Sequence, residues 1–439
     1  MNLDLNNIEL AAGSVVDETG KVFYYNGGVY RAIYSEEYAE IYRLILSSSW
    51  FNDVIEAGLI ETEVVDDLQL DGAKLILQHR KLPFFAHPVE FTSHMYWEAA
   101  YTFLKVNCAL VNNGYMTKDS HPWNLMVDKG KFRFIDFGSI VKTELVPVYW
   151  LDEFRRYFGV PIWLASRGWH DFALEYRRQH VNGFGIKLFD LDIVKKYAFY
   201  SLSKLDKLHN KPSEFFSQLG KWLVNHKPTS TGQGDWGHYP QYKISDNPLD
   251  PILPKQKFVF DVLKKSRPRT VLDCAANKGY YSEMAAKLGA AVIAFDYEDC
   301  SVNECYALAN REQLDITAVR MDFSYPTPPF AMGLVFGSSF ERFKSEIVLA
   351  IGLVHHVCLT QGLPVKIFCE ICMNYALDGI IFEYVDPTDF HVKDWPITPP
   401  HDYSLEAFIA YFSNKFPNIV ESYVIKDEGA NRQLLFFRR

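Results

Sequence analysis

An apolar stretch that ends on an acid, turns through small residues into a helix and returns as a second apolar stretch closed by another acid constrains this chain most. The two pieces are Thr270-Val-Leu-Asp-Cys-Ala-Ala-Asn-Lys-Gly-Tyr-Tyr-Ser282 and Ala291-Val-Ile-Ala-Phe-Asp296. They predict a strand, a helix and a parallel strand, with Ala275, Ala276 and Gly279 letting the backbone approach a ligand closely. Asp296 stands 23 positions after Asp273, about where a carboxylate accepts from both hydroxyls of a ribose. A dinucleotide loop would read Gly-x-Gly-x-x-Gly. This one has a single glycine beside Asn277 and Lys278, so the expected ligand has a nucleoside but no pyrophosphate.

The Asp-x-x-x-Asn-x-Gly pattern from Asp273 to Gly279 resembles motif I of the class I S-adenosylmethionine (SAM) methyltransferases. Further apolar runs follow in the order this resemblance implies. Ala318–Met321 reads as a third strand ending at Asp322 and Phe323, and Ser345–Val357 as a fourth whose polar end carries His355 and His356. Gly379–Phe382 reads as a fifth, ending in Glu383. Tyr403–Phe412 reads as a helix with Ser404 as N-cap, followed by two strands forming a hairpin around Gly429. The expected fold is an α/β Rossmann-like class I methyltransferase domain, a parallel sheet finished by an antiparallel pair. The resemblance implies SAM as cofactor, bound by Asp273, Ala275, Asn277, Gly279, Asp296, Asp322, Phe323 and Ala350.

Ligands of open α/β sheets bind outside the carboxyl ends of the strands, so the acceptor is expected over Ala350–His356 and Glu383. His355, His356 and Glu383 are the candidate catalytic residues, since an imidazole near its ordinary pKa can take a proton from a hydroxyl. Residue type alone does not choose among them. Adjacent strand residues point to opposite faces, which disfavours a shared metal ion. Cys369-Glu-Ile-Cys372 has redox spacing but sits in a helical apolar pattern and reads as core.

Far upstream, Lys118-Asp-Ser-His-Pro-Trp-Asn-Leu-Met126 and Arg133-Phe-Ile-Asp-Phe-Gly138 resemble the catalytic and metal-binding loops of the protein-kinase-like superfamily, in its aminoglycoside-phosphotransferase style. The resemblance implies an α+β kinase-like domain preceding the methyltransferase, with Asp119 orienting an acceptor hydroxyl and Asn124 and Asp136 as ligands of Mg2+ bound with ATP. These roles apply only if the domain is an active kinase. No glycine-rich phosphate loop is found, so its N-terminal lobe reads as reduced; Asn26-Gly27-Gly28 is a hairpin turn. Arg31 stands near the place of a strand lysine, with Glu37 or Glu40 as its expected partner. A retired fold and an active phosphotransferase both remain open.

The 439 residues, 48% hydrophobic and 15% aromatic, suit two globular domains. Expected boundaries are a kinase-like domain at 1–224 with a helical C-terminal lobe, a linker at 225–254 and a methyltransferase domain at 255–439. In the linker, Trp236, His238 and Tyr239 either anchor it or line the acceptor pocket. A net charge of −9 argues against a protein that grips nucleic acid through phosphates. Seven irregularly spaced cysteines give no disulfide framework, and no signal-like start or bilayer-length apolar run is present. A cytoplasmic protein without membrane insertion is expected.

Most of the chain, including Ala350–His356 and Phe382-Glu-Tyr-Val-Asp-Pro-Thr-Asp389, resembles nodulation-protein-like bacterial methyltransferases. That resemblance implies a small-molecule or saccharide acceptor, with the kinase-like part presenting substrate or regulating. The alternative is a bifunctional phosphotransferase and methyltransferase acting in sequence on a glycan or small molecule.

Overall fold

The computed structural model describes residues 2–3, 8–11, 14, 20–146, 149–182, 191–208, 211–229, 247–330, 336–425 and 429–439. Trp236, His238 and Tyr239 lie outside these.

Seven strands build the C-terminal sheet: β1 (Thr270–Cys274), β2 (Ala291–Asp296), β3 (Ile316–Arg320), β4 (Ser345–Ala350), β5 (Ala376–Val385), β6 (Asn418–Ile425) and β7 (Arg432–Arg438). Their order is β3-β2-β1-β4-β5-β7-β6. β1 to β5 are parallel, and β7 lies antiparallel between β5 and β6. This is the layout implied by the methyltransferase resemblance. The parallel strands read as almost unbroken apolar runs because helices cover both faces. Those include Tyr280–Lys287, Asp299–Glu312 and Val365–Tyr375. The last of these buries Cys369 and Cys372 as core residues. Ser404 caps the helix Leu405–Ser413 through Oγ, which accepts from Ala407 N at 3.2 Å.

β4 is shorter than expected. It stops at Ala350, and Gly352, at φ +68°, turns the chain into a π-helical segment, His355–Thr360. The two histidines therefore sit on a helical turn, where the strand argument for opposite faces does not hold.

In the N-terminal half, Glu9–Leu10, Gly20–Tyr25, Gly28–Ile33, Leu75–His79 and Thr62–Val64 form an antiparallel sheet in that spatial order. The lobe expected to be reduced thus keeps five strands. Its first hairpin turns on Asn26 and Gly27, both at positive φ, as a two-residue turn requires. The helix Ser93–Val111 packs against the hairpin Leu125–Asp128/Lys131–Phe134, the strand Tyr115–Thr117 and the helix Pro212–Asn225.

The two halves share one apolar core. Arg342, before β4, donates to both carboxylate oxygens of Glu90, at 2.9 and 2.5 Å, and to Phe85 O. Gly130 lies so close to the helix Asp299–Glu312 that a Cβ there would fall 2.3 Å from Asn310 N.

Candidate active site

Strand register gathers the C-terminal acids. Asp273 pairs with Ala294 and Leu349, Asp296 with Arg320, and Ala350 with Phe382, one residue before Glu383. All therefore stand within a rung or two of one carboxyl edge. Between β1 and the next helix the loop carries three positive φ values, Ala275 (+56°), Asn277 (+50°) and Gly279 (+88°). Gly279 is required twice: by its φ, and because a Cβ would come 2.6 Å from Cys305 Sγ. Ala275 gains nothing sterically from this conformation, which costs about 1–3 kcal/mol and is characteristic of ligand-binding turns.

Asp296 ties the loop to β2. One carboxylate oxygen accepts from Asn277 N at 2.9 Å and the other from Glu298 N at 3.0 Å. Asp273 accepts from Ser282 Oγ at 2.6 Å. Burial pushes Asp273 up to about 7 and Asp296 up to about 6. No cationic side chain forms a salt bridge with either acid among the described residues, so these two carboxyl groups have no direct counter-charge.

Asp322 and Phe323, both expected to bind SAM, separate. Asp322 remains at the edge, accepting from Ser324 N at 2.7 Å. Phe323, in the turn between Asp322 and Tyr325, packs 5.0 Å from the Phe368 ring and is only 4% exposed. Ala350 is fully buried.

Glu383 is fully buried and saturated. Lys255 Nζ donates to both of its oxygens, at 3.2 and 3.1 Å; Arg432 Nη1 donates at 3.3 Å and Gly352 N at 2.6 Å. Burial raises its carboxyl, but Lys255 and Arg432 outweigh that and hold it below the usual range. Through the Gly352 N–H it holds the turn that follows β4. Arg432 is also held by Asp389, at 3.0 and 3.1 Å. Lys255 and Arg432 were not singled out by sequence; the segment ending at Asp389 was noted there only for its family resemblance.

The rings of His355 and His356 lie 4.0 Å apart beneath Trp395, which is 5.9 and 5.6 Å from them. Burial and the nearby Arg432 lower His356 to about 4, and burial takes His355 well below its ordinary value. Both are neutral near pH 7. His355 is 4% exposed with no hydrogen-bond partner at Nδ1, while His356 is partly exposed.

No family model matches the chain. It is 24% identical to the nodulation protein NoeA of Rhizobium meliloti (strain 1021), over 98% of this chain and 96% of that protein. Similar solved structures include TehB from Haemophilus influenzae, at 14% identity and a TM-score of 0.31, matching 42% of this chain and 62% of that one. Another is magnesium protoporphyrin IX methyltransferase from Synechocystis PCC 6803 with bound SAH, at 14% identity and a TM-score of 0.31, matching 43% and 89%.

The second constellation lies in the N-terminal half. Asp119, Asn124 and Asp136 are brought together: Asn124 Nδ2 donates to Asp136 Oδ2 at 3.3 Å, and Ser139 Oγ to Asp119 Oδ2 at 3.3 Å. Burial, with Asp136 nearby, raises the Asp119 carboxyl against the opposing pull of His121. Arg31 does not pair with Glu37 or Glu40. Its Nη2 donates to Asp136 Oδ1 at 2.6 Å, and the guanidinium lies against Gly138, where a Cβ would come 2.1 Å from Nη1. Asp136 stands at the start of the turn Phe137–Ser139, and Arg31 on the strand Gly28–Ile33. A fixed cation therefore sits on the carboxylate expected to hold Mg2+.

Proposed function

We propose that this protein is a SAM-dependent methyltransferase whose C-terminal part, 255–439, transfers a methyl group to a hydroxyl of a small molecule or glycoconjugate. The observation that carries this reading is the β3-β2-β1-β4-β5-β7-β6 sheet with uncompensated acids and a positive-φ loop at the carboxyl end of β1. SAM supplies a methyl on a sulfonium. In this reading Asp296 accepts from the ribose hydroxyls, Asp322 faces the adenine edge, and the loop Ala275–Gly279 and Asp273 receive the cationic methionine end. Displacement from a sulfonium needs alignment and exclusion of water more than covalent help. Glu383 positions the turn through Gly352 N, and His356 accepts a hydrogen bond from the acceptor hydroxyl. Trp395, over the two histidine rings, offers an aromatic wall for a saccharide acceptor.

The N-terminal part, 1–224, presents substrate or regulates and does not transfer phosphate. Arg31 on Asp136 supports this over the bifunctional alternative, because a guanidinium and Mg2+ cannot share that oxygen. Residues 225–254 join the two parts.

Calorimetry with SAM, and separately with ATP plus Mg2+, tests both statements. SAM binding that is lost in Asp296→Ala, with no ATP binding, is expected. Absence of SAM binding would overturn the methyltransferase reading, and Mg2+-dependent ATP turnover lost in Asp136→Ala would restore the bifunctional one.

A further inference from the structure

Arg320 is the one charged residue of β3 and stands at its last position. Strand register sets it beside Asp296, the last residue of β2. The guanidinium forms no salt bridge with that carboxylate among the described residues and engages the segment that follows it. Nε donates to Tyr297 O at 3.3 Å and lies 2.9 Å from Asp299 Oδ1. Asp299 is buried where it opens the helix Asp299–Glu312, and a buried carboxylate depends on a cation being near.

Glu298 lies between these two contacts. Its N–H is one of the two donors on Asp296, at 3.0 Å, the other being Asn277 N at 2.9 Å. Arg320 therefore holds the chain on both sides of the N–H that orients Asp296. A binding side chain keeps its geometry only when the groups behind it are themselves fixed. Asp171, from the helix His170–Asn182 of the N-terminal half, also approaches the guanidinium, at 3.7 Å. Its side chain is 91% exposed, so this pair adds little, and the contacts to Tyr297 and Asp299 decide.

We propose that Arg320 is a positioning residue for the methyl donor. It fixes Tyr297–Asp299 and, through Glu298 N, the orientation of Asp296 at the nucleoside end of the site. This role rests on the SAM reading of the edge and assigns Arg320 no contact with the donor itself.

Calorimetry with SAM, and with methylthioadenosine as its nucleoside fragment, tests the role on the parent, Arg320→Met, Asp296→Ala and the double variant. Arg320→Met is expected to weaken both ligands about tenfold. Arg320→Lys should fall between, since an ammonium keeps a charge near Asp299 but loses the guanidinium fork. In the Asp296→Ala background the Arg320→Met change should cost less than about twofold, the non-additivity of residues that act through one contact. Unchanged affinities in Arg320→Met, or equal losses with and without Asp296, would overturn the proposal. So would a loss seen with SAM and not with methylthioadenosine, which would put the effect at the methionine end. A parent that binds neither ligand would sink the SAM reading and this role with it, a result distinct from binding that ignores Arg320. Should Arg320→Met fail to fold, Arg320→Lys carried through the same cycle decides.

Discussion

Two pairs of aspartates hold opposite positions in this molecule. Asp273 and Asp296, at the carboxyl edge of the C-terminal sheet, are met by a serine hydroxyl and two backbone N–H groups. Asp119 and Asp136 are neighbours in the N-terminal half, but Arg31 and Asn124 take both oxygens of Asp136. The first pair is short of positive charge and the second has it built in. The same side chain in two loops thus differs in whether a cationic ligand has anything to gain. Carboxylates without a counter-charge are expensive to maintain unless something binds them.

The sharpest way to break the comparison is to make one substitution in both halves. Asp136→Asn removes the charge that holds the buried Arg31 and is expected to cost about 3–5 kcal/mol. Asp273→Asn should do the reverse. Its carboxyl is raised by burial to about 7, so the folded chain favours the protonated form. That contribution is present below the unfolded value and is lost as pH rises through about 7. At pH 8 the asparagine variant is therefore expected to be more stable than the parent, by about 1–3 kcal/mol. Urea unfolding of both variants at pH 8 checks the pair, and equal signs would erase the distinction.

Binding sharpens it next. Asp296→Ala should weaken SAM about 10–100-fold, or about 1.4–2.8 kcal/mol, in calorimetry, with Asp296→Asn intermediate because it keeps a carbonyl for Asn277 N or Glu298 N. Replacing Arg31 with Met should leave SAM affinity unchanged within twofold.

A smaller effect concerns protons. A cationic donor favours the ionised forms of Asp273 and Asp296, raised to about 7 and about 6. SAM binding is therefore expected to release up to about one proton near pH 6.5 and to tighten as pH rises from about 5.5 to 8. Binding enthalpies compared in buffers of different ionisation heat measure the release. A zero value at pH 6.5 would mean that neither acid senses the donor charge.

Least in size, the methyl-transfer rate should show no histidine inflection above about pH 5, since His356 is lowered to about 4. A rate that falls with a midpoint near 6.5 would make an imidazole the base after all.

Much of the C-terminal sheet was legible because parallel strands buried on both faces leave apolar runs, and each run here ends on the acid or small residue that meets the ligand edge. The end of β4 was not, since Ile351–Val354 is as apolar as the strand before it and only the φ of Gly352 breaks the pairing. Glu383 was visible as a strand-end acid, but its saturation was not. Its partner Lys255 is 128 positions away, with nothing local to mark it.

By itself, the sequence determined the order of strands and helices and the loop that needs Gly279, consequences of local periodicity and short spacing, while the grouping of Asp119, Asn124 and Asp136 was implied by the resemblance to kinase-like loops. Only the tertiary structure decided which acids are neutralised. Arg31 meets Asp136 across 105 positions and Arg342 meets Glu90 across 252. Charge pairing acts over a few ångströms of space, and distance along the chain does not reveal which charges folding brings that near.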